Sequence, residues 1–420
     1  DNDGNVAVGF QASKLNDGGD FNVSMGRQAL YSNTTGTYNV AIGDQAIIYA
    51  GDGTSSPTGS IGIGYQAGKY PEGSYNTWVG YSAGRGATAT RTSNLNTAIG
   101  KEAMSATLSD TENVAIGAGA MEVTTGSHLN VAIGRGCMNS TVGANRNVAI
   151  GYYSLEQFVG STSNTYNTAV GFYAMKQTSA GTNNVAIGAE SMYGVSGNTN
   201  SDNVAVGMAT LYSAAGAIQN VAVGHYAGNA LTTGDNNTLV GYGAGMALTD
   251  EAHNVFIGKN AGSASAGTVQ SVLIGANAGQ SSTGDNAVFI GYNAGAAWTS
   301  GDRQIGIGYQ TLEASTSGIY NLAIGGWALK TNTTGNYNMA IGEGALQNNV
   351  HGDNNTALGY NALYTLTPSD GGGANTAVGM NAGRLATTGT GNVFMGYHAA
   401  YNITDTVDNV IIGKQAGEDN

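Results

Sequence analysis

Asn113-Val114-Ala115-Ile116-Gly117 returns seventeen residues later as Asn130-Val131-Ala132-Ile133-Gly134, and again as Asn147-Val148-Ala149-Ile150-Gly151. The closing glycine of this motif recurs at 9, 26, 43, 64, 80, 100, 117, 134, 151, 171, 188, 207, 224, 241, 258, 275, 291, 308, 325, 342, 359, 379, 396 and 413, which makes 24 copies. Most spacings are 17; two are 16, one is 19 and four are 20 or 21. Self-similarity at a fixed period marks a repeat architecture, in which each unit buries its apolar face only by stacking on its neighbours.

Slots are numbered here from the motif glycine, taken as 0. Slot −1 is always Val, Ile, Leu or Met, and slot −3 is apolar or Thr. Those two share one face of a strand, because strand side chains alternate. Slot −2, between them, is usually Ala and points the other way. Slot +3 is Ala in 19 of 24 copies, which predicts a place where two backbones approach closely. The glycine itself is expected to supply a bend or a positive φ. Thr-Thr-Gly at 34–36, 124–126, 232–234, 333–335 and 387–389 reads as turn chemistry. The longer spacings add residues in the same segment, as at Gly51 to Pro57 and Asp370 to Ala374, where a stacked coil tolerates insertions.

Seventeen residues are too few for two packed helices with turns, and Val, Ile, Thr and Gly are poor helix formers. One coil of two strands and two turns fits. The expected fold is all-β, a parallel β-solenoid (a two-sheet β-roll) of about 24 coils over residues 1–420 as one continuous domain. Stacking 24 coils at the strand spacing of ~4.8 Å gives a rod roughly 115 Å long.

Slot −4 is Asn in 20 of 24 copies, the exceptions being Ser60, Ser271, Ala287 and Gln304. Asn113, Asn130, Asn147, Asn167 and Asn184 would therefore stack as a structural ladder, each amide bonding to its neighbours above and below.

Composition narrows the function classes. Gly is 68 of 420 residues and charged residues are 10 %, where about 25 % is usual. The hydrophobic content of 41 % argues against a disordered chain. With a net charge of −13 and no basic stripe, neither nucleic acid nor an anionic membrane face is an expected partner. No apolar run is long enough to span a bilayer as a helix. Cys137 is the single cysteine, so no internal disulfide forms, and it occupies a slot that is mostly Ala, which predicts a buried, inert thiol.

The motif resembles the head repeats of trimeric autotransporter adhesins (the YadA-like head) and related repeats of phage tail fibres. The shared element is the Asn-x-Ala-Ile-Gly core with a small residue following, and the resemblance covers almost the whole chain. It implies a left-handed parallel β-roll, three chains side by side, and a role in attachment at a cell surface or virion. The 17-residue period is longer than is usual in adhesin heads, and with its Thr-Thr-Gly turns looks closer to the tail-fibre repeats.

The five His occupy different slots with no metal-ligand spacing, and neither a nucleophile elbow nor a phosphate loop occurs. Asp1-Asn2-Asp3-Gly4-Asn5 has only a partial likeness to a calcium loop. Acids such as Asp235, Asp285 and Asp353 stand singly in turns. No catalytic residue, metal or cofactor is therefore expected. Aromatic residues follow the motif glycine at Tyr65, Tyr81, Tyr242, Tyr292, Tyr309, Tyr360 and Tyr397. They read either as a ladder that stacks on sugar rings or as rings that pack on one another. In slot −2, Ala gives way to Trp78, Leu239, Phe256, Leu273, Phe289 and Phe394. If that row faces outward it is an apolar interface; if it faces inward, the Val/Ile rows are exposed instead. Either way one apolar face seeks a partner.

These readings converge on a non-enzymatic, extracellular fibre or adhesin segment that acts as a stiff spacer and attachment surface, with a homotrimer as the expected state. A head-to-tail filament is the alternative, since neither end shows a distinct capping repeat. A polysaccharide depolymerase is a remote third.

Overall fold

The computed structural model describes residues 3–48, 56–70, 73–86, 93–159, 165–195, 197–368 and 372–418. The insertion from Gly51 and that from Asp370, together with Asp1 and Asn2, fall wholly or partly outside those residues. The chain is all-β and forms a parallel β-solenoid. It divides into two compact units, Asp1–Ala217 and Ile218–Asn420, with the same internal plan.

Every motif forms a three-residue strand at slots −3 to −1. Twelve run from Val6–Val8 to Val204–Val206 in the first unit, and twelve from Val221–Val223 to Val410–Ile412 in the second. Within each unit these strands pair in parallel and in register, so that Val114, Ala115 and Ile116 face Val131, Ala132 and Ile133. Three residues suffice because each coil forms the same bonds with the coils above and below, so order comes from stacking rather than strand length.

The expected second sheet is present in only part of the first unit. Val123–Thr125, Ser140–Val142 and Gln157–Val159 form a three-stranded parallel sheet. Elsewhere among the described residues that wall is turns, bends and isolated bridges such as Thr178 to Asn198. The Thr-Thr-Gly at 124–126, read as turn chemistry, thus lies partly in a strand, with Thr124 buried at its centre.

The motif glycine has two separate reasons to be glycine. Gly117 has φ +135°, a conformation open essentially to glycine alone. A Cβ placed there would also lie 2.5 Å from the carbonyl oxygen of Gly134 in the next coil. Slot +3 behaves as expected: Ala103, Ala120, Cys137 and Ala174 are completely buried where the chain turns back across the core.

The core is thin and fills by exchange between two slots. In most copies where slot −2 is Ala, slot +4 carries a large side chain, as in Ala115 with Met121, Ala132 with Met138, and Ala323 with Leu329; all six are fully buried. Where slot −2 is large, slot +4 is glycine: Trp78 with Gly84, Leu239 with Gly245, Phe256 with Gly262, Leu273 with Gly279, and Phe289 with Gly295. A Cβ at Gly295 would lie 2.5 Å from Phe289 Cε2. Phe394 is accommodated by Gly383 of the preceding coil, where a Cβ would come within 2.5 Å of its ring. Slot +4 carries a left-handed backbone in both cases, for example Met121 at φ +49° and Gly295 at +58°. Glycine there relieves both the crowding and the strain.

Candidate functional site

The Asn ladder lies inside the coil, beside the motif strands. Asn130 Nδ2 donates to Asn113 Oδ1 at 3.0 Å and to the Ala144 carbonyl at 2.7 Å. Its Oδ1 accepts from the backbone N–H of Asn147 at 2.9 Å and from Asn147 Nδ2 at 3.0 Å. Asn113 makes the equivalent bonds to Asn96 and to the Ser127 carbonyl. Asn167 and Asn184 continue the pattern, with Asn184 Nδ2 donating to Asn167 Oδ1 at 3.0 Å. Each amide thus ties two strand entries to one turn, a structural role.

A second ladder of opposite polarity runs along slot −6. There the side chain accepts from the backbone N–H of the coil before it: Asp235 from Ile218, Asp285 from Val269, Asp353 from Asn336. The solitary acids of the sequence are therefore built into the turns. A shorter ladder at slot +7 joins Asn33 to Asn16 and Asn349 to Asn332. Among the described residues no group of three or more His, Cys, Asp or Glu is placed to hold a metal ion. The Cys137 thiol donates to the Ala149 carbonyl at 3.0 Å, and burial pushes its pKa up to about 12.

The exposed surface answers which apolar row faces out. Trp78, Leu239, Phe256, Leu273, Phe289 and Phe394 are at most 1 % exposed, so they are core and form no interface. The interface expected of them is corrected accordingly: the glycine paired with each makes room for it inside. The outward rows are slots −3 and −1, with Ile42, Ile99, Ile187, Ile257 and Ile324 each more than a third exposed. No charged residue occupies either slot in any copy. Two aromatic-rich edges flank these rows. Slot +1 carries Tyr65, Tyr81, Tyr242, Tyr292, Tyr309, Tyr360 and Tyr397, all 41–52 % exposed. Slot −5, unremarked in the sequence, carries Phe21, Tyr38, Tyr75, Tyr166, Tyr320 and Tyr337, equally exposed.

The rings of both edges stack along the coil direction. Tyr65 and Tyr81 have centroids 5.1 Å apart, Tyr292 and Tyr309 5.5 Å, and Tyr320 and Tyr337 5.1 Å, all nearly parallel. Tyr309 then meets Trp327 edge to face, His225 lies against Tyr242, and Tyr397 stacks on His398. Tyr360 follows Glu343 and precedes Met380 in its row. A ring stacked on its neighbour has that face occupied and presents an edge outward, so the paired tyrosines fit mutual packing better than sugar stacking.

No protein-family model and no curated protein matches the chain. Among the described residues no helix is long and apolar enough to cross a membrane.

Proposed function

We propose that the chain is a non-enzymatic structural and adhesive fibre segment, at a bacterial surface or on a virion, that works as an assembly of copies of itself, with a homotrimer as the favoured form. The observation that carries this reading is the outward face at slots −3 and −1, which is uncharged in every coil of both units and aliphatic but for Thr at slot −3 in six of them and a few Met. Continuous exposed apolar surface of this extent marks an interface.

Its size suits a partner. Twelve coils at ~4.8 Å, with the four residue steps from slot −3 to slot +1 spanning ~13 Å, give on the order of 750 Å² per unit. A standard protein interface takes about 800 Å² from each partner. The ladders supply stiffness, since each coil is bonded to its neighbours through both backbone and side chains, and a stiff stack holds its face flat.

Light scattering on the full chain tests the proposal. A mass near three times 42.3 kDa supports it. Replacing Ile324 and Ile341 together by Lys is expected to dissociate the assembly while leaving the circular dichroism of the β fold unchanged. A wild-type monomer at micromolar concentration overturns the reading.

A further inference from the structure

We infer that the first unit binds a small zwitterion in a groove on its slot +2 and slot +5 wall, with the ligand's ammonium held by Glu102 and Glu122 and its acid group by Arg135. The site needs one chain only, so it goes beyond the self-association proposed above and does not depend on it. A break in the repeat opens the groove. Slot +2 holds Gln, Asn, Tyr or another side chain in most coils, but Gly119 and Gly136 place glycine there in two successive coils, which happens nowhere else in the sequence. With no side chain on that floor, a cavity of about 170 Å³ lies between Lys101 and Arg135 on one bank and Glu122 and Asn139 on the other. Tyr153 closes one end, its ring lying over Gly136. Towards the other end, Glu102 and Glu122 also line a second cavity of about 240 Å³, together with Ser82, Arg85 and Ser105.

The lining leaves charges of both signs short of partners. Glu122 Oε2 accepts from Asn139 Nδ2 at 3.0 Å, while its Oε1 has no hydrogen-bond partner among the described residues. The Glu102 carboxylate meets the exposed Lys101 at 3.5 Å. The Arg135 guanidinium lies 5.8 Å from the Tyr152 ring and, among the described residues, pairs with no carboxylate. In the adjoining cavity the Ser82 hydroxyl is buried without a hydrogen-bond partner, open to a ligand that reaches past the carboxylates. Glu102, Glu122 and Arg135 stand in three successive coils, so they follow one another along the groove at ~4.8 Å per coil. An ammonium between the two carboxylates therefore has the guanidinium roughly one coil away, within reach of the acid group of a short amino acid. Charge-assisted bonds of this kind, with the guanidinium taking an acid in a forked pair, are the strong ones. A simple anion would be repelled by the two carboxylates, and a simple cation by Arg135 and Lys101. Among the described residues no group of three acids, His or Cys is placed to hold a metal ion.

Ligand-observed NMR on the full chain tests the site with glycine, β-alanine and γ-aminobutyrate, whose charge separation grows one methylene at a time. Butylamine and butyrate serve as probes of one charge each. One of the three zwitterions is expected to bind with a Kd of about 1 mM or below, and about ten-fold more tightly than either single-charge probe. Glu122→Gln and Arg135→Gln should each weaken it about ten-fold or more. Gly119→Asn should abolish binding by refilling the floor. It is also the variant least able to disturb the fold, because Asn260 and Asn277 occupy the same slot at φ +55°, close to the +64° of Gly119. No zwitterion binding at about 10 mM overturns the site, as does equal binding of a single-charge probe. So does binding that survives Gly119→Asn in a chain whose circular dichroism is unchanged. Light scattering reads the association separately: a monomer that binds keeps the site and defeats the assembly, and an assembly that does not bind does the reverse.

Discussion

Replacing Asn130 by Ala removes four hydrogen bonds in one step. Two are those its Nδ2 donates, to Asn113 Oδ1 and the Ala144 carbonyl. The other two are those its Oδ1 accepts from Asn147, one from the backbone and one from the side chain. At about 1 kcal/mol net each, the direct loss is about 4 kcal/mol, and the Asn147 N–H is left buried with no side-chain acceptor, which keeps the estimate from shrinking. Asn130→Ser provides a graded comparison, because the chain already uses serine in this slot. Ser60 accepts from the backbone of Asn76 at 3.3 Å and Ser271 from that of Ala287 at 3.1 Å. Serine keeps the acceptor for the next coil and loses the donors, so Asn130→Ser is expected to cost about half as much. Stacked coils can open locally, so a single global unfolding energy is insufficient. Amide exchange at Asn147 and at Val131, read beside urea denaturation, localises the damage. The reasoning is refuted if Asn130→Ala lies within about 1 kcal/mol of wild type, or if serine is as damaging as alanine.

The core exchange, the thiol and the motif glycine give three further tests. Phe289→Ala should cost about 3–5 kcal/mol in urea denaturation through the cavity it leaves. Gly295→Leu alone should also destabilise, but the double variant, which reproduces the Ala323–Leu329 pair, should recover most of the loss; additive damage would disprove the exchange. Cys137, with its pKa pushed up to about 12 from an ordinary 9.0, should resist thiol reagents at pH 8 until the chain unfolds. Its thiolate fraction there is about 10⁻⁴ folded and about 10⁻¹ unfolded, and rapid labelling of the native protein would contradict its burial. Because the neutral thiol is the form the fold favours, its contribution to stability is complete below about pH 9 and is lost as pH rises towards 12. Gly117→Ala should cost at least about 2–3 kcal/mol from its φ alone, and a neutral result in thermal unfolding would mean the stacked glycines relax freely.

The motif made some slots legible because 24 copies align themselves. Asn at −4, Gly at 0 and Ala at +3 each recur where only one side-chain property fits, so a ladder, a positive φ and a close approach could be read directly. The direction of the strand faces could not. Slots −2 and −1 are both apolar, and alternation shows that they oppose each other without showing which is inside. The deciding signal was present six residues away, in the glycines at 84, 245, 262, 279 and 295 that accompany large residues at slot −2. The slot −5 edge was harder to see, because Phe21, Tyr38 and Tyr75 share their slot with Asn, Gln, Asp and Arg, and only exposure and stacking reveal them as a row. The partial second sheet has no motif at all. Val123–Thr125 is a strand because β-branched residues happen to follow one another there beside similar runs in the next coils.

Where the charge lies separates an apolar interface from an ionic one. The chain carries a net −13, so three copies together carry −39 (3 × −13), while slots −3 and −1 carry no charge at all. Acids occupy turn slots such as Asp235, Asp285 and Asp353, and a few, such as Asp44, Glu112, Asp202, Glu343 and Asp408, stand on the edges that flank the aliphatic rows. Bringing copies together is therefore opposed by like charge over the rest of the surface and favoured by burial of the face. Salt acts on only one of these: a Debye length of about 30 Å at 0.01 M shrinks to about 10 Å at 0.1 M, which screens the repulsion and leaves apolar burial intact. Association measured by sedimentation should thus strengthen as salt rises across that range. Any ionic contacts between copies would weaken over the same range, but exposed pairs are worth at most about 1 kcal/mol each. Dissociation on adding salt would mean that ionic edges, rather than the aliphatic rows, hold the copies together.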